Sequence, residues 1–194
     1  MKQQHIGKVI TGIITILWMA IIFAFSAQPA QQSSQISGGV AYRIAEWQSN
    51  LFHLEKTQQE LSAQAQSMQL MVRKGAHMGE YALLAFFLCL HLRYYAAKEI
   101  SNNSSGSVRL FSIISRFPDI SQIILPVVII TAAYAATDEF HQLFVPGRAG
   151  RLTDVCIDSL GGILGIIFYL ILQRYLPAVL HHIHSKARHT KGKR

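Results

Sequence analysis

Charge is what this chain has least of. Only 14% of its 194 residues are Asp, Glu, Lys or Arg, against roughly 25% in soluble domains. That deficit argues against an ordinary water-exposed domain and against a highly charged disordered chain. Cysteine is scarce too: Cys89 and Cys156 both fall in apolar runs with no pairing pattern, so they read as small packing residues rather than a disulfide framework. A tight metal signature such as His-Glu-x-x-His is missing. So is any internal repeat, which weighs against a transporter built from repeated halves.

What is present is apolar length. Hydrophobic residues make up 51% of the chain, gathered into runs at about 9–26, 75–92, 121–137 and 155–172. Each is close to the roughly 20 residues that cross about 30 Å of hydrocarbon, and Pro126 in the third run is tolerated in membrane helices. The expected fold is all-α, a four-transmembrane-helix bundle with an outer amphipathic helical connection. Residues 1–176 form the membrane domain and 177–194 a basic tail. The first run resembles a signal peptide ending in a small-residue site, but it exceeds the usual apolar core of such signals and reads as an uncleaved helix.

Lys and Arg set the orientation. Placing the N-terminus in the cytoplasm puts twelve of the 18 Lys and Arg residues inside, and eight of the ten acids outside or at the outer edge. The expected location is therefore an integral membrane, with both termini cytoplasmic. The tail from His181-His182-Ile183-His184 to Arg194 reads as a segment facing anionic lipid rather than nucleic acid. Ser101-Asn102-Asn103-Ser104-Ser105-Gly106-Ser107 has the composition of a flexible spacer. In the outer connection, Val40, Ile44, Trp47, Leu51 and Leu54 recur at helical spacing. That stripe suits a helix lying at the interface or folded over the outer mouth, followed by a Gln-rich section up to Val72.

The sparse charges are concentrated in two places. Thr137 to Gly165 contains Asp138, Glu139, His141, Arg148, Arg151, Asp154 and Asp158 within or beside apolar sequence, and the second run opens with Lys74, His77, Glu80 and Tyr81. Ionisable groups at membrane depth are costly and mark functional candidates. With four spans, the end of the first, the start of the second, the end of the third and the start of the fourth all lie on the outer face. Ser26, Gln28, Lys74, His77, Glu80, Tyr81, Asp138, Glu139, His141, Gln142, Arg148, Arg151, Asp154 and Asp158 are thereby expected to line one polar site. Arg148 and Arg151 flank Gly150 and suit an anion such as phosphate or carboxylate. His77, Glu80, Asp138, Glu139, His141 and Asp158 are the groups that would move or tune protons. Glu80, His141, Arg148 and Asp158 in particular should approach one another. Gly161, Gly162 and Gly165 allow another helix to come close. A divalent metal would draw on Asp138, Glu139, Asp154 or Asp158 with a histidine, but metal and cofactor stay open.

Lys74-x-x-His77-x-x-Glu80-Tyr81, Thr137-Asp138-Glu139-Phe140-His141-Gln142-Leu143-Phe144-Val145-Pro146-Gly147-Arg148 and Asp154-x-x-x-Asp158-x-x-Gly161 together resemble the VanZ-like family over about residues 8–176. The Phe25-Ser26-Ala27-Gln28 end of the first run is similar to that family as well. The resemblance implies a bacterial cell-envelope role facing outward from the plasma membrane, and the family's namesake is linked to resistance to the glycopeptide antibiotic teicoplanin. Two readings follow. One is an enzyme acting on an anionic lipid-linked or cell-wall component among the membrane lipids. The other is a non-catalytic binder that shields an envelope target from antibiotic.

Overall fold

The computed structural model describes the backbone of residues 2–102 and 120–191, and side chains within 5–95 and 122–175. Five helices follow in order: α1 Lys2–Ser26, α2 Ala30–Leu51, α3 Gln58–Asn102, α4 Ile120–Gln142 and α5 Leu152–Lys191. All the regular structure among the described residues is helical. Four of the helices, α1, α3, α4 and α5, are long and apolar enough to cross a membrane. The spacer from residue 103 and the side chains of the basic tail lie outside the described residues, although the backbone of α5 continues through the tail to Lys191.

α3 is the central helix and packs on each of the other four. Its buried face supplies Tyr81, Leu84, Ala85, Leu88 and Cys89, which meet Ile22 of α1, Ile123, Val127 and Ala135 of α4, and Ile166 and Tyr169 of α5. Outward, large apolar side chains such as Ile16, Leu125, Ile129, Leu164 and Phe168 are exposed on the spans, the surface a lipid solvent requires. Cys89 is buried as expected; Cys156 is exposed on α5 instead.

The closest approach is between α3 and α5, which run parallel. A Cβ on Gly161 would strike the backbone of Met78, and one on Gly165 the carbonyl of Ala82. Gly162 faces Thr131 of α4. The expected role of these glycines is met, with α3 and α4 as the partners.

The outer connection differs from its expected form. The Gln-rich section belongs to the second spanning helix rather than preceding it: α3 begins at Gln58, and α2 lies antiparallel along its first turns as a helical hairpin. α2 turns its small face, Ser37, Ala41, Ala45 and Ser49, toward the interior. Of the apolar stripe, Val40, Trp47 and Leu51, with Leu54 just beyond the helix, are exposed. The glutamines form the polar side of the hairpin. Gln64 Nε2 donates to Gln48 Oε1 at 2.9 Å, and Gln69 Nε2 to the Ser34 carbonyl at 2.7 Å. Small residues win the interface because they let two helices come near enough for these bonds.

α3 starts where it does because Thr57-Gln58-Gln59-Glu60 is a capping box. Glu60 Oε2 accepts from the Thr57 amide at 2.8 Å, and Thr57 Oγ1 from the Glu60 amide at 3.3 Å. Thr57→Ala should therefore raise hydrogen–deuterium exchange in the first turn of α3, at residues 58–61, and leave residues 84–89 unchanged. Equal exchange in both proteins would show that the hairpin contacts alone hold that turn.

Candidate functional site

The C-terminal end of α1, the cavity-facing turns of α3 at 73–80, the C-terminal end of α4 and the start of α5 meet at one end of the bundle. There α3, α4, the α4–α5 loop, α5 and the first residue of α2 line a cavity of about 200 Å³, with the end of α1 behind α4. Its wall includes Arg73, Lys74 and His77 of α3, Glu139 and Gln142 of α4, Arg148 and Arg151 of the α4–α5 loop, and Asp154 and Asp158 of α5. Leu70, Ile157 and the base of α2 at Ala30 complete it.

The loop that brings in Arg148 is held at three points. Val145 accepts from the Arg148 amide at 3.1 Å, and Gly147 turns the chain with φ 73°, a left-handed conformation that glycine adopts without steric cost. Pro146 O accepts from the Ala30 amide at 3.1 Å, while Arg148 Nε donates to the Gln28 carbonyl at 3.2 Å. Loop and α1–α2 connection therefore clasp each other. Buried Glu139 accepts the Arg151 amide on Oε2 at 2.8 Å, and Gly150 sits where a Cβ would strike the Glu139 carbonyl.

Two contacts between ionisable groups follow, one across the cavity and one along α3. Lys74 Nζ lies 3.0 Å from Asp154 Oδ1, joining α3 to α5. His77 Nδ1 lies 3.4 Å from Glu80 Oε2, yet that oxygen has no hydrogen-bond donor, so the contact is electrostatic rather than a formed hydrogen bond. His77 is within electrostatic reach of Asp158 and Arg148 as well as Glu80. Asp158 is 2% exposed, and its Oδ1 has no partner. Arg148 forms no ion pair among the described residues. Burial, with Arg73 nearby, lowers its pKa from the usual guanidinium value.

Of the fourteen residues read from the sequence, Lys74, His77, Glu139, Gln142, Arg148, Arg151, Asp154 and Asp158 line the cavity. Six stand behind or beside it. Ser26 Oγ accepts from Gln142 Nε2 at 3.0 Å, and Asp138 Oδ2 from the same nitrogen at 3.3 Å. These three form a buried network tying α1 to α4. Gln28 contributes its carbonyl rather than its side chain. Glu80 backs His77, and its own carbonyl accepts from Trp18 Nε1 at 2.9 Å. Tyr81 is wholly buried in the core, with its ring 6.2 Å from that of Tyr134.

His141 is the clear departure. Its ring lies 4.4 Å from that of Phe23 on α1, and it is absent from the cavity wall. Of the four groups expected to approach one another, Arg148 and Asp158 line the cavity with His77, and Glu80 stands behind that histidine. Arg73 is the charged wall residue absent from the fourteen read from the sequence; its adjacency to Lys74 was the available signal. Among the described residues, no three His, Cys, Asp or Glu side chains converge as a metal-binding group would.

The VanZ/LLP1 family model matches residues 11–173. The chain belongs to the VanZ/LLP1 family. That match takes in every cavity residue, the second and third candidate spans and most of the first and fourth. No curated protein and no solved structure matches the chain.

Proposed function

We propose that this VanZ/LLP1 protein uses the cavity to bind the anionic head of a lipid-linked or cell-wall component at the extracytoplasmic face of the bacterial plasma membrane. The charge bias of the sequence supports that orientation. The carrying observation is Arg148, a guanidinium without an ion-pair partner among the described residues, held partly out of water beside Arg73, Lys74 and Arg151. A buried cation without a counter-ion costs stability, and an arginine fork matches phosphate or carboxylate oxygens. The cavity, at about 200 Å³, is smaller than the roughly 300–1,000 Å³ that encloses a drug-sized ligand. It suits a head group and not a whole glycopeptide, so a resistance role would act through an envelope component.

The test is binding of phosphatidic acid by the purified full chain in phosphatidylcholine nanodiscs. Arg148→Gln should weaken it about tenfold or more, because charge-assisted hydrogen bonds contribute about 1.5–3 kcal/mol. An unchanged dissociation constant would remove the anion-site reading. His77 favours the enzymatic version, since it puts a proton-transfer group at the wall with the Glu80 carboxylate behind it. In that version His77→Gln abolishes turnover of the bound head while leaving binding in place; in the shielding version there is no turnover to lose.

A further inference from the structure

We infer that the head group bound here is dipolar: a phosphate ester that also carries a primary amine, its phosphate on Arg148 and its ammonium on Asp158. This rests on the anion-site reading and extends it to the other half of the cavity. Three acids line the wall beside the cations. Glu139 is satisfied by the Arg151 amide and Asp154 by Lys74. Asp158 is not satisfied: it is 2% exposed, and its Oδ1 accepts no hydrogen bond.

Asp158 and Arg148 thus line the same cavity, each without a salt-bridge partner among the described residues. Opposite charges line one cavity and no ion pair among the described residues joins them. A purely anionic ligand would satisfy Arg148 and leave the carboxylate facing a second negative charge. A ligand with both signs satisfies both walls at once, and two fixed contacts also set its direction in the cavity. The close backbone approach of α3 and α5 is made at Gly161 and Gly165, so the Asp158 carboxylate is not what lets those helices come together.

The experiment uses the full chain in phosphatidylcholine nanodiscs doped with either phosphatidylethanolamine or phosphatidic acid, with soluble O-phosphoethanolamine as a third probe. Wild type should prefer phosphatidylethanolamine to phosphatidic acid by about tenfold, the worth of one hydrogen bond to a charged group. Asp158→Asn should erase that preference, by weakening phosphatidylethanolamine binding and by strengthening phosphatidic acid binding where the carboxylate repelled it. Phosphoethanolamine binding as tightly as the lipid would identify a soluble ligand of the same chemistry; much weaker binding would identify a lipid.

No amine preference in wild type overturns the dipolar head. That comparison needs no variant to fold. A preference that survives Asp158→Asn overturns it equally, and in both cases the loss of phosphatidic acid binding in Arg148→Gln leaves the anion site standing. Arg148→Gln without effect on any probe overturns both readings together.

Discussion

Gly165→Ala is expected to break the bundle, whereas Gly75→Ala leaves it intact. Both substitutions add one methyl to a helix interior, and in an exposed position that change gains about 0.8–1.0 kcal/mol of helix propensity. At Gly75 the new Cβ has nothing within 4 Å, so the variant should melt at or slightly above the wild-type temperature. At Gly165 the Cβ lands on the Ala82 carbonyl of α3. That obstacle is helix backbone and cannot rotate away, so α3 and α5 must separate. Overpacking costs typically about 1–3 kcal/mol, and a backbone obstacle belongs at the upper end. Gly161→Ala meets the backbone of Met78 in the same way, and the double variant should fail to give a monodisperse peak in detergent. A Gly165→Ala melting point equal to wild type would mean that the two helices are not held at this distance.

Glu139→Ala should weaken binding of an anionic head about as much as Arg148→Gln does, although it leaves every cavity cation in place. Glu139 is 6% exposed and accepts the Arg151 amide at 2.8 Å. A hydrogen bond to a charged group contributes about 1.5–3 kcal/mol. Without it the loop loses its anchor on α4, and Arg148 is no longer presented to the cavity. Glu139 is a positioning residue in this account, so the variant carries a second signature: faster amide exchange across residues 147–151. Weakened binding with unchanged exchange there would instead make Glu139 a direct ligand contact.

The four spans could be read from the sequence because a membrane helix must be apolar all along its length. Their even number then brings Lys74, Arg148 and Asp158 to the same end without any knowledge of packing. The inward depth of the glycines was legible for a similar reason, since Asp158, Gly161 and Gly165 follow helical spacing. The hairpin was not legible. Its interface is made of Ser, Ala and Gln, and a stripe of Val40, Trp47 and Leu51 on the same helix carries the stronger apolar signal while facing away from α3. Thr57 and Glu60 did mark the true start of α3, a local signal that the Gln-rich composition obscured. His141 failed differently. Spacing puts it near the face of Asp138, but a few tens of degrees of helix rotation decide between a polar wall and Phe23, and periodicity does not resolve that angle.

The 45 residues of α3 extend about 68 Å at 1.5 Å per residue, more than twice the roughly 30 Å of a hydrocarbon core. Lys74 and His77 lie partway along this rod, between the hairpin and the span. No hinge separates the three parts, so the attitude of the hairpin is that of a transmembrane helix. From Lys74 to Gln58 is about 24 Å, and each 10° of tilt in the span swings the hairpin tip by about 4 Å. Tilt follows bilayer thickness and the packing of neighbouring helices. The hairpin therefore works as a pointer, magnifying at its tip small changes in the slope of the helix that carries the cavity wall.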